Sequence, residues 1–249
     1  MSIVCIPSCM YHEYLPYAKP IFFWGEYEYD EIYPLYTQMI RCQFELKPNK
    51  IPTVQIKNSI FYKGNEYLTS SGDREVVLCL NSVDLELFFE QYEVYNLEYI
   101  SGWKFKATKG LFKDYIDKWS NNKIQAKIDG NHGLYLISKL FLNSLYGKFG
   151  TDTKVRSKIP FMDNGVVKYA DGDPEEKDGI YVALASFVTS YGRRKTIKAA
   201  QTIMEKGLLY DLLDQCDECP KYTVECLDPN GKCQMEDFES IVEWLAGDE

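Results

Sequence analysis

The stretch Lys139-Leu140-Phe141-Leu142-Asn143-Ser144-Leu145-Tyr146-Gly147-Lys148-Phe149 decides how this chain is read. As a helix it sets Lys139, Asn143 and Tyr146 at i, i+4 and i+7, on a single stripe. Leu136, Leu140 and Leu142 fall on other faces, where they are expected to bury against a core. An ammonium, an amide and a phenol in one row suit a nucleotide: the lysine meets phosphate charge and the ring packs on a base. Spacing alone also fits an ordinary amphipathic helix carrying a few polar residues.

Charge narrows the choice. The 249 residues carry a formal charge of −9, a total that by itself speaks against a nucleic-acid partner. The charge is unevenly spread. Residues 204–249 hold 13 Asp/Glu and 3 Lys/Arg, a net of −10, so residues 1–203 carry about +1. Residues 101–160 hold 12 Lys/Arg against 4 Asp/Glu, a net of +8, and this block contains the quoted stretch. Phosphate contact is a natural use of such a block, and a solvated lysine-rich helix pair is the plainer one. The length allows one large or two small domains. No apolar run is long enough to span a bilayer and no signal peptide is visible, so a soluble, cytoplasmic protein is expected, with no membrane partner.

Local patterns give an α+β fold class. Pro52-Thr53-Val54-Gln55-Ile56 and Glu75-Val76-Val77-Leu78-Cys79-Leu80 read as strands, and Asn81-Ser82 as the cap of a helix over 83–92. Residues 109–149 read as two helices, about 111–121 and 133–148, joined by the turn Asp129-Gly130-Asn131-His132-Gly133. Lys113 and Lys118 of the first helix are expected near the polar stripe. Residues 150–183 read as a hairpin, with Ile159-Pro160-Phe161-Met162 and Val166-Val167-Lys168-Tyr169 flanking Asp163-Asn164-Gly165. Asp171-Gly172-Asp173 has the D-x-D spacing of a metal pair but reads as turn chemistry. A helix over 180–203 carries Arg193, Arg194, Lys195 and Lys198.

The string K-x-x-x-N-S-x-Y-G, complete over residues 139–147, closely resembles the fingers motif of family B DNA polymerases. The resemblance widens from Tyr33-Pro34-Leu35 to about Ile203, where the chain looks like the protein-primed polymerases of small tailed phages. Matching stretches include Phe61-Tyr62-Lys63-Gly64-Asn65-Glu66-Tyr67-Leu68, Phe105-Lys106-Ala107-Thr108, Gly110-Leu111-Phe112-Lys113-Asp114 and Ile116-Asp117-Lys118-Trp119. Thr189-Ser190-Tyr191-Gly192-Arg193 is similar to the family's T-x-x-G-R motif. The resemblance implies a division into a palm remnant (1–11), a first terminal-protein-region insertion (12–107), fingers (108–149), a second insertion (150–183), a palm helix (184–203) and an acidic tail (204–249). It implies that Lys139 and Lys127, with Lys123 as the alternative, neutralise triphosphate charge. Asn143 and Tyr146 would shape the pocket around the incoming base. Thr189 and Arg193 would hold a DNA backbone, with Gly192 allowing its close approach. The partners implied are DNA, a deoxynucleoside triphosphate, the terminal (priming) protein and an upstream polymerase fragment, and the cofactor is Mg2+.

Both metal-binding aspartate motifs of that family are missing. Aligned from Pro7, the D-x-x-S-L-Y-P motif falls on Met1-Ser2-Ile3-Val4-Cys5-Ile6-Pro7, with Met1 at the aspartate and Ile6 at the tyrosine that screens out ribonucleotides. Back-translated and read one base earlier, these seven codons can spell Asp-Val-Asn-Ser-Leu-Tyr-Pro. The expectation is a frameshift near Pro7, with the aspartate and an upstream exonuclease domain absent from the chain. The Y-x-D-T-D-S turn expected after residue 203 is absent too. A chain inactive alone is therefore expected, its function that of a polymerase fragment. The alternatives are a DNA- or terminal-protein-binding module without catalysis, and an interaction protein acting through its tail. In that tail Cys216, Cys219, Cys226 and Cys233 cluster within 18 residues, a set able to hold zinc, and residues 239–245 read as a short amphipathic helix.

Overall fold

The computed structural model describes residues 5–152, 154–176 and 180–205. Helix α1 (Cys5–His12) is followed by the short strand β1 (Leu15–Pro16), then by β2 (Ile21–Trp24), β3 (Leu35–Leu46) and β4 (Val76–Asn81). Helix α2 (Ser82–Gln91) runs directly into the long strand β5 (Tyr92–Phe105) and β6 (Ala107–Thr108). Helices α3 (Lys113–Ile128) and α4 (His132–Phe149), the ribbon β7 (Lys154–Asp163) and β8 (Val166–Glu176), and helix α5 (Val182–Glu205) complete the described chain. The main sheet is antiparallel in the order β2-β5-β3-β4, and β1 pairs with β6 alone. Helices and antiparallel strands are segregated, so the fold is α+β.

Two apolar cores hold these elements. Along β3, Ile40, Cys42 and Phe44 alternate inward and meet Val76, Leu78, Leu85, Phe88 and Tyr92, which packs α2 onto the sheet. Ile6, Met10, Ile116, Leu142, Phe187 and Val188 bring α1, α3, α4 and α5 together in the second core. The link between sheet and loop is polar. Gln38, buried at 1% exposure, donates to Gly25 O (2.9 Å) and Ser101 O (3.1 Å) and accepts from Tyr27 N (3.0 Å), so its burial costs no lost hydrogen bond.

Caps and turns follow local chemistry. Asn81 is the N-cap of α2, its side chain accepting from Asp84 N at 3.0 Å. Gly130, at φ +68°, ends α3, and Asn131 caps α4 by accepting from Leu134 N. Asn164 (φ 50°) and Gly165 (φ 78°) form the two-residue turn joining β7 to β8, where Asp163 pairs with Val166.

Three expectations need correction. Residues 52–56 form no strand: Pro52 has no N–H, and Thr53 N and Val54 N donate to the Tyr92 phenol (2.7 and 3.2 Å) instead of to a ladder. Asp171-Gly172-Asp173 is strand rather than turn; it sits in β8 at a register shift opposite Arg156 and Lys158, and Asp171 pairs with Lys158. Leu136 and Leu140 neither fall on another face nor bury: in α4 they flank Lys139 and Asn143 on one side and are 49% and 64% exposed, while Ser138 and Leu142 turn inward.

Burial raises the pKa of several weak acids in these cores. Cys42 is pushed up to about 11, and Tyr36, Tyr92 and Tyr191 are also raised by desolvation. Above pH 9 the unfolded chain loses these protons while the folded chain keeps them, so stability falls as pH rises. The melting temperature is expected to drop between about pH 9 and 11, with Cys42 alone contributing roughly 2 kcal/mol of the loss. Thermal melts across that range check it, and Cys42→Ala should flatten the slope.

Candidate nucleic-acid interface

Helices α3 and α4 form an antiparallel pair. Trp119 stacks on Phe141 (centroids 4.3 Å apart, 12° between planes), and the Tyr115 hydroxyl donates to Phe141 O at 3.1 Å. Small buried residues, Ala126 on α3 and Ser138 on α4, lie on the inward side of the pair. At the base, Leu142, Leu145, Tyr146 and Phe149 join the core shared with α1 and α5. One end of α4 is thus rooted, and its outer face is left to solvent.

The row Lys139, Asn143, Tyr146 lies beside that outer face. Lys139 is exposed, Asn143 is half-buried, and Tyr146 is half-buried with its ring against the core. Among the described residues Lys139 has no carboxylate partner and the Asn143 side chain makes no hydrogen bond. Lys127 is exposed and likewise unpaired, while Lys123 lies 5.9 Å from the Tyr135 ring centroid. Lys113 and Lys118 are exposed, their ammonium groups 5.9 and 5.3 Å from the rings of Tyr11 and Trp119. The pair therefore presents cations with no protein anion to satisfy them.

The cations of α5 are arranged differently. Arg193 pairs with Asp84 (2.5 Å), Arg194 with Glu86 (3.3 Å), Lys195 with Glu13 (3.8 Å) and Lys198 with Glu90 (3.3 Å). Asp84 also accepts from Ser190 Oγ at 2.7 Å, and Asn81 Nδ2 donates to Ser190 Oγ (2.6 Å) and Ser186 Oγ (3.2 Å). This network ties α2 to α5. Its members, Asp84 above all, were missed in the sequence. The available signal was the run Asp84, Glu86, Glu90 on one helix, complementary to the basic run on another.

The T-x-x-G-R residues are accordingly engaged within the chain, Ser190, Tyr191 and Gly192 buried and Thr189 and Arg193 half-buried. The Thr189 hydroxyl donates to Ala185 O within its own helix. Gly192 is buried, and a Cβ built there would stand 3.5 Å from Ile6 Cδ1, so its near neighbour is α1. Ile6 is 1% exposed and fills the core rather than a nucleotide pocket. Arg193 uses one nitrogen on Asp84. It also lines a cleft of about 480 Å³ with Thr53, Gln55, Lys57 and Tyr67, where its remaining donors are available. Met1 and the cysteines at 216, 219, 226 and 233 lie outside the described residues.

A helical hairpin bearing unpaired lysines is thus rooted in an α+β core. The family model described as DNA polymerase type B, organellar and viral, matches residues 6–219, and the chain belongs to that family. It is 50% identical over 212 residues to the DNA polymerase of Bacillus phage phi29, covering 85% of this chain and 35% of that protein. It is 46% identical over 233 residues to the DNA polymerase of Bacillus phage Nf, covering 90% and 39%. A solved structure of phi29 DNA polymerase with primer-template DNA and incoming nucleotide superposes with a TM-score of 0.75 at 50% identity, over 80% of this chain and 34% of that one. The chain spans about a third of the length of these relatives.

Among the described residues no group of three or more His, Cys, Asp or Glu side chains comes together to hold an ion. No described helix is long and apolar enough to cross a membrane.

Proposed function

We propose that the chain is the fingers-and-palm portion of a protein-primed phage DNA polymerase, and that it binds primer-template DNA and a deoxynucleoside triphosphate through the α3–α4 pair. The observation that carries this reading is the contrast in pairing: the cations of α5 are ion-paired within the chain, whereas Lys127 and Lys139 are not. Unpaired ammonium groups beside an open amide and a ring are what phosphate and base need. Lys139 and Lys127 take the triphosphate; Asn143 and Tyr146 bound the base. The free donors of Arg193 take a backbone phosphate from the cleft side. Of the T-x-x-G-R group, Thr189 and Gly192 serve by packing α5.

Polymerisation in this family uses a divalent ion, Mg2+ in our reading, to neutralise developing phosphate charge. The described residues do not supply its ligands, so the chain's part is binding and orientation. The priming protein is assigned to the β2 edge, where Phe22, Trp24 and Trp103 form an exposed aromatic group with centroids 4.9 and 5.1 Å apart. Zinc in the tail rests on its four clustered cysteines. The setting is the cytoplasm of a phage-infected or prophage-bearing bacterium.

Fluorescence anisotropy with labelled primer-template DNA tests the reading. With about four phosphates neutralised, affinity is expected to fall roughly 100-fold between 50 and 200 mM salt. Lys139→Ala should weaken binding about tenfold. Arg194→Ala, which removes a cation already paired with Glu86, should change it less than about twofold. Binding indifferent to salt and to Lys139→Ala would remove the α3–α4 pair as the DNA surface.

A further inference from the structure

The loop from β2 to β3 reads Gly25-Glu26-Tyr27-Glu28-Tyr29-Asp30-Glu31-Ile32-Tyr33-Pro34, with 4 Asp/Glu and no Lys/Arg. It forms one wall of a cleft of about 480 Å³, whose lining includes Glu13, Tyr27, Tyr29, Tyr36, Glu86 and Arg194. Tyr27 and Tyr36 stack there, their centroids 3.9 Å apart with 12° between planes. The Tyr27 hydroxyl is held by the loop itself, donating to Tyr33 O at 2.7 Å and accepting from Asp30 N at 3.0 Å. The Tyr36 hydroxyl makes no hydrogen bond among the described residues, and Tyr29 is 78% exposed.

Neighbouring tyrosine rings already carry cations. Lys109 lies 4.9 Å from the Tyr14 centroid, Lys104 4.8 Å from Tyr33, and the Arg194 guanidinium 5.3 Å from Tyr191. Among the described residues no cation lies over Tyr27, Tyr29 or Tyr36. The carboxylates around these rings are also underused. Glu26, Glu28 and Glu31 are exposed and, among the described residues, unpaired. Arg194 holds Oε2 of Glu86 at 3.3 Å and Lys195 holds Oε1 of Glu13 at 3.8 Å, which leaves each carboxylate a second oxygen without a described partner. Burial raises the Tyr36 pKa, and the charges of Glu86 and Glu26 raise it further, so the ring stays neutral in a negative field.

Neutral rings beside unpaired carboxylates attract a cation and repel a phosphate. A planar guanidinium suits the cleft better than an ammonium, because it stacks on a ring while its fork of N–H groups reaches two carboxylates. The features continue past the cleft: unpaired carboxylates run along the loop, and Ile32, 63% exposed, stands at its end, where a free polyamine would gain no apolar contact. We propose that this cleft docks a basic peptide of a partner protein. One arginine enters beside Tyr29 and the Tyr27–Tyr36 stack and meets the open oxygens of Glu86 and Glu13; further basic residues pair with Glu26 and Glu28. The surface is separate from the α3–α4 pair and opposite to it in charge, so the docking does not rest on the proposed binding of DNA and nucleotide.

Fluorescence anisotropy of the full chain with a fluorescein-labelled peptide of alternating arginine and glycine tests the docking. A citrulline counterpart, alike in shape but neutral, is expected to bind at least about tenfold more weakly. Tyr29→Ser and Glu86→Gln, both at exposed sites, should each weaken the arginine peptide about fivefold and leave the melting temperature unchanged. Glu98→Gln, which removes an exposed carboxylate paired with Arg41 on the sheet, should change binding less than about twofold. Affinity that survives Tyr29→Ser and Glu86→Gln together would put the peptide on the acidic tail or elsewhere and overturn the proposal. Equal affinity for the citrulline peptide would overturn it too. So would displacement by spermidine as effective, mole for mole, as displacement by unlabelled peptide, which would make the cleft a polyamine site.

Discussion

Gly102→Ala is expected to destabilise the protein by roughly 3 kcal/mol or more, among the largest effects of any single methyl group in the described chain. Gly102 sits in β5 between Phe23 on β2 and Gln38 on β3. A Cβ built there would lie 2.0 Å from Thr37 O and 2.4 and 2.8 Å from Phe23 Cζ and Cε1. The ring can rotate, but the carbonyl belongs to the backbone of β3 and moves only if two central strands part. Those strands carry the register that positions α2, and through α2 the ion pairs to α5. Denaturant melts of wild type and Gly102→Ala measure the loss. Phe23→Ala in the same background should recover little, because it relieves the ring and leaves the carbonyl. A Gly102→Ala protein within about 1 kcal/mol of wild type would mean that β3 and β5 stand further apart than described.

Gly102 also marks where sequence reading ran out. Elements whose cause is local were legible: the α4 period, the Asn81 cap, the Asn164-Gly165 turn and the α5 helix each depend on neighbours within a few residues. Elements whose cause is distant were not. Residues 52–56 look like a strand until Tyr92, about 40 residues away, takes their N–H groups. Leu136 and Leu140 look like core residues until the side of α4 that meets α5 is known. The basic run of α5 looks like a DNA surface until Asp84, Glu86 and Glu90 are placed opposite it. For the candidate site, the motif supplied the residue types and their order along α4. It did not reveal which cations were already spent, since pairing across more than 100 residues leaves no mark on a local pattern.

The 249-residue chain, purified alone, is expected to incorporate no nucleotide on primed DNA with either Mg2+ or Mn2+. Phosphoryl transfer of this kind depends on ions that clamp the attacking and leaving oxygens, and those ions need carboxylates converging on one point. In the resemblance drawn from sequence, Met1 stands at one aspartate and the second motif is missing. Among the described residues no acidic cluster takes their place, and Asp171 of the D-x-D string is engaged by Lys158 on the ribbon. Ile6, at the position of the sugar-sensing tyrosine, packs in the core with α5. Binding and chemistry are therefore expected to separate in this chain. Lys139→Ala should lower DNA affinity, while the incorporation rate stays at background in both proteins. Labelled-nucleotide incorporation measures this, with Lys139→Ala purified in parallel as the contamination control. Template-dependent extension present in the wild-type preparation and lost in Lys139→Ala would show that the chain assembles a metal centre, and the separation of binding from catalysis would fail.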